Sequence, residues 1–378
     1  MQIVIIGGGM VGAAAALSLA QAGHQITLVE RDRAPQQTND GDWDLRISSI
    51  HHGNLNWLAQ LNVLSAIPAT RYYDYQQLSV TTADGAELSF HSDELGIVQL
   101  GAMIENRALQ AALWQRLSEQ PQLRLLSSAA VDSIDRRQQR VHLADGESLP
   151  YQLLLGADGH NSMVARAAGI GYRGWDYGQR CLLATVRCQQ PLAPHTWEVF
   201  RQQGPYAILP LGERLACLID YRSQVEWQPL LEQGREAVAS ELHHTFHERV
   251  GAFELLHHAS FAIARWRALQ YFQQNIALLG DAAHSIHPLA GQGVNLGFAD
   301  VRSLTKALQQ PSLDTALADY QRQRMRQNQQ MMRAMDACHV GFRSEQWGVS
   351  LLRRAGLATL QRVPLLKQQV LRYAVGLA

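Results

Sequence analysis

Residues 2–32 read QIVIIGGGMVGAAAALSLAQAGHQITLVERD, and this stretch decides the fold. A short apolar run, a glycine turn, a helix of small residues and a second apolar run together predict a βαβ unit. Gly7, Gly9 and Gly12 fit G-x-G-x-x-G, whose glycines allow a tight turn, approach of backbone to a pyrophosphate and close helix packing. Glu30 ends the second strand and can accept hydrogen bonds from a ribose. We predict a dinucleotide site for FAD or NAD(P) that also includes Arg31, with a structural glycine turn as the alternative.

The composition is that of a globular protein without a basic nucleic-acid surface. The chain has 378 residues, enough for two domains, and 47% of them are hydrophobic. Lys and Arg together number 33, and so do Asp and Glu, so no nucleic-acid partner is expected. Partners should be small molecules or local surfaces.

The cysteines and the apolar runs indicate the cellular location of the protein. The four cysteines show no CxxC spacing and follow no signal-peptide pattern, which predicts a cytoplasmic protein without a disulfide framework. No run approaches about 18 uninterrupted apolar residues, so a membrane span is not expected. Attachment to a membrane surface stays open.

A second architecture follows the first unit. Residues 76–91 alternate polar and apolar around Asp84-Gly85, which predicts a β-hairpin. TWEVFR, YAILPL and LACLIDYR within residues 196–222 predict further antiparallel strands and hence a sheet-based domain. The apolar runs at 153–159 and 275–284 end in Gly-x-Asp and Gly-Asp, and they are predicted to return to the first domain.

The predicted division of the chain is therefore discontinuous. The dinucleotide domain comprises 1–72, 100–178 and 268–318, the sheet domain 73–99 and 179–267, and a helical region 319–378. That last region holds ten Lys or Arg and three Asp or Glu. Its end, 349–378, mixes basic residues with an apolar stripe, which is typical of a helical lid or of a basic amphipathic surface on anionic lipid.

Residues 280–297 read GDAAHSIHPLAGQGVNLG and are predicted to join a strand to a helix. Asp281 then lies at the carboxyl end of a strand, where α/β sheets place ligand-binding groups. Gly291 and Gly293 free backbone N–H groups at the helix start, which favours negative charge. A reduced flavin is anionic at one edge, and Pro288 stiffens the loop beside the ring. The stretch predicts a flavin cradle.

Other chemistries fit less well. A metal site at Asp281, His284 and His287 is not expected, because a spacing of three on a strand and loop does not bring ligands to one face. A hydrolase using Ser285 lacks the G-x-S-x-G elbow. A one-dinucleotide flavoenzyme remains, for which we nominate no catalytic side chain because the cofactor carries the chemistry. The two lysines lie in predicted helices away from the motifs: Lys306 and Lys367.

Three motifs together resemble those of the group A flavoprotein monooxygenases, the class with the fold of para-hydroxybenzoate hydroxylase. They are Gly7–Gly12 with Glu30, GADGHNS at 156–162 and GDAAHSIHPLAGQGVN at 280–295. LRISSI at 45–50, ENRALQAAL at 105–113 and WDYGQ at 175–179 are similar to the ubiquinone-biosynthesis hydroxylases of that class. The resemblance implies an α/β fold with a discontinuous FAD-binding Rossmann-like domain, an antiparallel-sheet substrate domain and C-terminal helices.

The resemblance also implies roles for residues. Glu30 would hold the adenosine ribose, Arg107 the FAD chain near the pyrophosphate, and Asp281 a ribityl hydroxyl or a group on the phosphate side. Asp158 belongs to a motif shared between FAD and the nicotinamide nucleotide, and Arg46 to a segment that approaches the flavin and pyrophosphate. For Arg107 a solvated charge is the alternative. The flavin-side loop would contribute the following residues: Pro288, Gly291, Gly293, Val294 and Asn295.

One departure concerns the electron donor, which the resemblance implies to be NAD(P)H. The second motif of the family usually reads GADG-x-x-S-x-x-R. Here Ala165 takes the tenth place and Arg166 the eleventh. The shift puts the binding mode of NAD(P)H in question.

The implied activity is that of an FAD-dependent monooxygenase. Reduced FAD would react with O2 to a C4a-hydroperoxide that hydroxylates the ring of a polyprenylated phenol or benzoquinol in ubiquinone biosynthesis. LQAALWQRL at 109–117 and LKQQVLRYAVGL at 366–377 imply 2-octaprenyl-3-methyl-6-methoxy-1,4-benzoquinol as the substrate. The alternatives are a sister hydroxylase acting at another ring carbon, an FAD-dependent prenyl reductase and a non-catalytic FAD-binding scaffold.

Partners follow from this activity. We expect a polyprenylated quinol, O2, peripheral contact with the inner face of the membrane, and an assembly of ubiquinone-biosynthesis proteins, but no metal. Four aromatic residues are candidate pocket walls, with plain core packing as the alternative: Trp175, Trp197, Phe200 and Tyr206.

Overall fold

The computed structural model describes residues 1–36, 43–82, 84–286, 291–343 and 347–377. The strands are β1 Gln2–Ile6, β2 Gln25–Val29, β3 Ile47–His51, β4 Tyr72–Tyr75, β5 Gln77–Thr82, β6 Glu87–His91, β7 Gly101–Glu105, β8 Leu123–Leu126, β9 Val131–Asp135, β10 Arg140–Leu143, β11 Ser148–Pro150, β12 Leu153–Gly156, β13 Tyr172–Cys188, β14 His195–Phe200, β15 Tyr206–Pro210, β16 Leu215–Ser223, β17 Phe253–Ala268, β18 Phe272–Gln273, β19 Ile276–Leu278 and β20 His284–Ser285. The helices are α1 Met10–Gln21, α2 His52–Gln60, α3 Asn106–Ser118, α4 Met163–Ala168, α5 Gln224–Gln233, α6 Arg235–Val250, α7 Gln292–Ala307, α8 Leu313–Arg343, α9 Trp347–Arg362 and α10 Pro364–Ala374.

A six-stranded sheet confirms the predicted βαβ unit and its returning strands. Its order is β18-β19-β12-β1-β2-β8, and all pairs are parallel except β18 with β19. Strands of such a sheet are apolar throughout because helices cover both faces, and Ile3–Ile5 are fully buried. The alanines of α1 let this helix pack closely, and it contacts α3 and α7. The apolar runs predicted at 153–159 and 275–284 contribute β12 and β19.

An eight-stranded sheet forms the second architecture, in the order β20-β17-β13-β16-β15-β14-β5-β6. The predicted hairpin is β5 and β6, and the strands predicted within 196–222 are β14, β15 and β16. The expectation of a wholly antiparallel sheet was wrong at one place, because β14 and β5 pair in parallel. One face packs on α5 and α6 around Trp227 and Phe246. The other face is turned toward β7 and α10.

The longest pairing lies near a predicted boundary. Strand β13 pairs with β17 from Tyr172 opposite Ala268 to Cys188 opposite Phe253, with a shift of register between Asp176 and Arg180. The predicted boundary at 178 therefore falls inside a strand. The division into domains stays a prediction.

Smaller elements connect the two large sheets. Strands β3, β7 and β4 form one antiparallel sheet, and β11, β10 and β9 form another. The prediction of helix from about residue 313 is confirmed by α8, α9 and α10. Lys367 on α10 pairs with Glu94 at 2.8 Å and fixes this helix to the body. Among the described helices none is long and apolar enough to cross a membrane.

Candidate active site

A cavity of about 580 Å³ opens at the carboxyl edge of the six-stranded sheet. Gly7, Gly9 and Glu30 line it from the ends of β1 and β2, and Asp158 lines it from the end of β12. Because carboxyl ends of parallel strands meet at one edge, the fold brings together motifs that are about 150 residues apart in the chain. Arg31 lies at the same cavity.

The glycines of the first motif leave this cavity open. Gly7 has φ +102°, and a Cβ there would lie 2.4 Å from the carbonyl oxygen of Ala157. A Cβ on Gly12 would lie 1.9 Å from the oxygen of Gly7, whereas none of the described atoms lies within 4 Å of a Cβ on Gly9. Helix α1 begins after Gly9 without a side-chain cap. Its first N–H groups suit a pyrophosphate.

Glu30 is held at the mouth of the cavity by backbone donors. One carboxylate oxygen accepts from the N–H of Gly8 at 2.6 Å, and the other accepts from the N–H of Asp32 at 2.9 Å. A carboxylate oxygen accepts more than one hydrogen bond, so both oxygens keep capacity for ribose hydroxyls. Arg31 is exposed, and its guanidinium lies 3.7 Å from Asp32.

Asp281 is an acceptor whose carboxyl has no hydrogen-bond partner among the described residues. It follows β19, and Gly280, the residue before it, packs against Val11 in the first turn of α1. The carboxyl makes no hydrogen bond with any residue that the structure describes. Its side chain is exposed, yet desolvation by surrounding protein raises the pKa of Asp281. A partly desolvated carboxyl with no described hydrogen-bond partner fits a ligand hydroxyl.

The start of α7 forms a second glycine turn. Gly291 has φ +61° and caps the helix without a side-chain hydrogen bond, and a Cβ on Gly293 would meet open space in the described part of the chain. A Cβ on Gly291 would lie 3.2 Å from the Cβ of Ser49. Val294 packs against the core of the six-stranded sheet. Pro288, predicted to stiffen this loop, lies outside the described residues.

Asn295 joins α7 to its neighbours. Its amide nitrogen donates to the carbonyl oxygens of Ser49 at 2.7 Å and Gly291 at 3.2 Å. Its amide oxygen accepts from the N–H of His51 at 3.2 Å and from Asn54 at 2.9 Å. The side chain is 1% exposed and fully used by the protein. A contact of Asn295 with FAD would therefore use its backbone.

A buried charge network that the sequence analysis missed lies under Asp281. Asp300 on α7 is fully buried and accepts from the N–H of Gly280 at 3.1 Å, from His284 at 2.6 Å and from Arg324 at 2.7 Å. Burial opposes the charge of Asp300, but His284 and Arg324 outweigh it and lower the pKa of this carboxyl. The network holds the turn that presents Asp281. His284 thus points inward while Asp281 is exposed, so the two do not converge on one ion; His287 lies outside the described residues.

The remaining predicted cofactor residues have protein partners. Arg107 donates to the buried carboxylate of Glu105 at 3.1 Å and lines a neighbouring pocket rather than the 580 Å³ cavity. Arg46 is exposed, and its carbonyl oxygen accepts from Asn106. Asp158 caps α4, accepting from Ser162 at 2.6 Å and from the N–H of Met163 at 2.7 Å. Their contacts with FAD stay predictions.

A second cavity, of about 210 Å³, lies between the eight-stranded sheet, β3, β7, α10 and the first turn of α7. Most of its lining is apolar. Tyr75 and Ser49 are hydrogen-bonded to each other there at 3.0 Å. The polar residues that line it are Ser49, Tyr75, Thr196, Glu198, Tyr221 and Gln292.

Among the four aromatic candidates for pocket walls, Trp197 contributes to the lining of this cavity, although its ring packs toward the core under α5 and α6. Phe200 stacks on Phe342 at 4.1 Å between ring centroids, and Tyr206 packs edge-on against Phe246 at 5.0 Å. Trp175 is 45% exposed. Because strand residues alternate between faces, Tyr206 belongs to the core under α5 and α6.

Comparison with known proteins identifies the family. The sequence model described as FAD binding domain matches residues 1–335. The chain belongs to this family. It is 38% identical to 3-demethoxyubiquinol 3-hydroxylase of Escherichia coli (strain K12), over 100% of this chain and 98% of the relative. It is 30% identical to ubiquinone biosynthesis monooxygenase COQ6, mitochondrial, of Xenopus tropicalis, over 98% of this chain and 92% of the relative.

A solved structure agrees in fold. p-Nitrophenol 4-monooxygenase PnpA from Pseudomonas putida DLL-E4 superposes with a TM-score of 0.81 at 16% identity, over 99% of this chain and 97% of that one. The predicted fold class, the family and the use of FAD are confirmed. The chain is an FAD-dependent monooxygenase of the ubiquinone-biosynthesis hydroxylase family.

Proposed function

We propose that this flavoenzyme hydroxylates the ring of a polyprenylated phenol or benzoquinol, with 2-octaprenyl-3-methyl-6-methoxy-1,4-benzoquinol as the substrate. The observation that supports it is the apolar 210 Å³ cavity, which touches the first turn of α7 at Gly291 and Gln292 and touches α10 at Leu371 and Val375. The relative named 3-demethoxyubiquinol 3-hydroxylase supports a quinol of this class.

The size of the cavity limits what enters it. A volume of 210 Å³ corresponds to roughly seven water molecules in the liquid. A single substituted ring is of that order, whereas an octaprenyl chain is several times larger. The prenyl chain must therefore leave the cavity, and α10 forms its outer wall.

The residues of the larger cavity fit FAD. The open space at Gly9 and the uncapped start of α1 supply the backbone groups that a pyrophosphate requires. Asp281 follows β19, the strand next to β12, outside the residues that line this cavity, and it would accept a hydrogen bond from the ribityl chain. Glu30 would hold the ribose, and the N-terminus of α7 would favour negative charge on the flavin ring. When bound, FAD supplies the redox chemistry and the activation of O2. The chain itself orients the ring and keeps water away with apolar walls.

We propose NAD(P)H as the electron donor. Arg166 lines the 580 Å³ cavity and donates to the carbonyl oxygen of Asn161 at 3.0 Å, while Ala165 is fully buried in α4. The eleventh place of the motif thus puts a cation at the cavity surface, where it can meet a phosphate. Flavin reduction followed anaerobically with NADH and NADPH tests this donor.

Labelled oxygen tests the hydroxylase activity. The enzyme is supplied with FAD, a reductant, ¹⁸O2 and a short-chain quinol. The mass of the product is measured by mass spectrometry, and the hydroxylated carbon is assigned by NMR. We expect one ¹⁸O atom on the ring. A saturated prenyl chain on an unmodified ring would instead indicate the prenyl reductase. Bound FAD without any turnover would indicate the non-catalytic scaffold. Hydroxylation at a different ring carbon would indicate the sister hydroxylase.

We also propose that α9 and α10 contact the inner face of the membrane. Exposed apolar residues gather there, and exposed basic residues flank them: Leu351, Val363, Leu365, Leu366, Val370 and Tyr373, with Arg354, Arg362 and Arg372. The opposite face of α10 lines the 210 Å³ cavity. A substrate ring could thus enter while its chain stays in lipid.

Removing α10 would also remove Leu371 and Val375, which are buried in the body of the protein. Point substitutions therefore test this surface better than a truncation does. We expect Leu365→Asp with Leu366→Asp to lower co-sedimentation with anionic vesicles. Added salt should weaken binding further, since each basic residue near the surface contributes about 1 kcal/mol. Leu269→Asp, at an exposed apolar residue after β17, is the matched control. Equal binding of all three proteins would refute the proposal.

A further inference from the structure

Glu198 is an acid in an apolar wall. It lies on β14, where Thr196 and Glu198 share the face toward the 210 Å³ cavity, and its side chain is 7% exposed. Its carboxyl makes no hydrogen bond or ion pair with any residue that the structure describes. Among the described residues that line this cavity, it is the one whose side chain can carry a full charge at neutral pH.

Such a group is unfavourable without a ligand. Burying an unpaired polar group destabilises a protein by roughly 1–3 kcal/mol, and buried polar groups are normally hydrogen-bonded. Desolvation raises the pKa of Glu198 to about 7. The carboxyl is therefore an acceptor whose partner is expected to enter the cavity.

The groups around Glu198 on the described walls carry no charge. Burial raises the pKa of Tyr75, Tyr221 and Cys181, so each stays neutral near pH 7. No Arg, Lys or His is among the described lining residues. On the described walls, therefore, no cation competes for the carboxylate of Glu198.

We infer that Glu198 binds the substrate by accepting a hydrogen bond from one hydroxyl of the quinol ring. This inference rests on the proposed quinol substrate. A carboxylate bonded to a hydroxyl forms a short, charge-assisted bond, which fixes the rotation of the ring in the cavity and leaves more electron density on the ring. The same carboxylate discriminates against rings that cannot donate, because both partners would then be buried and unpaired.

Two rings should be rejected. A quinol whose hydroxyls are methylated has no proton to donate, and the oxidised quinone presents carbonyl oxygens that repel a carboxylate. Glu198 thus makes the cavity selective for the reduced form of the substrate, which is the form with an electron-rich ring.

The experiment measures binding of a short-chain quinol and its dimethyl ether under anaerobic conditions, followed by the change in flavin absorbance. The variants are Glu198→Gln and Glu198→Leu, and the control is Glu254→Gln, the same chemical change at an exposed residue on β17 of the same sheet. FAD content and melting temperature are recorded for each protein. We expect both Glu198 variants to bind the quinol at least tenfold more weakly than the wild type does, and we expect Glu198→Leu, which leaves no unpaired carboxylate, to bind the ether more tightly.

The outcomes separate the two proposals. Unchanged quinol affinity in Glu198→Leu would overturn the inference about Glu198. Absence of quinol binding by the wild type would overturn the proposed substrate instead. If the variants lose FAD, the pH dependence of quinol affinity in the wild type tests the inference. This affinity should rise as the pH increases through about 7, because Glu198 ionises there while Tyr75, Tyr221 and Cys181 stay neutral. A flat profile would overturn the inference.

Discussion

Replacing Asp300 by Asn tests the buried network under the active site. The carboxylate lies between His284 and Arg324, and it holds the N–H of Gly280 next to Asp281. Asn keeps the size and some of the hydrogen bonds but removes the charge. The guanidinium of Arg324, which is 5% exposed, would remain buried without its counter-ion.

The magnitude follows from this burial. Breaking a buried ion pair by removing one partner destabilises a protein by about 3–5 kcal/mol. Because Asn still accepts one hydrogen bond, we expect the lower end, about 3 kcal/mol. The ionised Asp300 stabilises the fold above the ordinary pKa of an aspartate, and this contribution is lost as the pH falls through its lower value in the folded protein. At pH 7 the whole difference should be measurable.

The assay is thermal unfolding followed by tryptophan fluorescence, with and without added FAD. In a chain of this size 1 kcal/mol shifts Tm by about 2 °C, so Asp300→Asn should melt roughly 6 °C lower. FAD should also bind more weakly, because the turn that carries Asp281 loses its hydrogen bond. Asp319→Asn removes an exposed pair with Arg322 and should change the free energy of unfolding by less than about 1 kcal/mol. Equal melting temperatures for the two variants would refute the reasoning.

Three further predictions concern the cofactor cleft and pH. Gly12→Val should abolish FAD binding because the valine side chain would meet the carbonyl oxygen of Gly7. In Gly9→Ala the added methyl group meets no described protein atom, so this variant should keep its Tm yet bind FAD more weakly. Flavin absorbance per chain measures FAD binding in both variants. Asp281→Ala should weaken FAD binding by roughly 1–3 kcal/mol without lowering the Tm of the FAD-free protein, as titration with FAD can check. Burial lowers the pKa of His51 to about 4, so this residue should contribute a fall in the free energy of unfolding of about 1.4 kcal/mol per pH unit as the pH drops from about 6.5 to about 4. Denaturant titrations of His51→Gln should show a slope smaller by that amount, while His195, whose pKa burial also lowers to about 4, keeps its own contribution.

The cofactor cleft could largely be predicted from the sequence because its constraints are local. Gly7 is required by its φ of +102° and Gly12 by the nearby carbonyl oxygen of Gly7, both within one turn of the chain. A strand followed by Gly-Asp places Asp281 at the edge of the sheet. The Asp300 network could not be predicted in the same way. Its partner Arg324 lies 24 residues away on α8, and the packing of two helices brings them together. A weaker signal existed, since Asp300 lies within the apolar stripe of α7.

Glu198 was missed for a different reason. In a strand with one solvated face, an acid among alternating residues is assigned to solvent. Strand β14 has protein on both faces: Trp197 packs toward α5 and α6, and Glu198 faces the second cavity. Only the tertiary structure distinguishes an acidic side chain in solvent from one that is buried beside a ligand cavity.

The position of α10 has a consequence for how substrates of different length are treated. The wall between the 210 Å³ cavity and the exposed apolar surface is a single helix, about 10 Å across. An extended octaprenyl chain is much longer than that wall, so the protein can touch no more than the first few isoprene units. Prenyl units beyond those first few should not affect the activity. Homologous quinols with short and long tails should therefore be hydroxylated at equal rates once their solubility is matched.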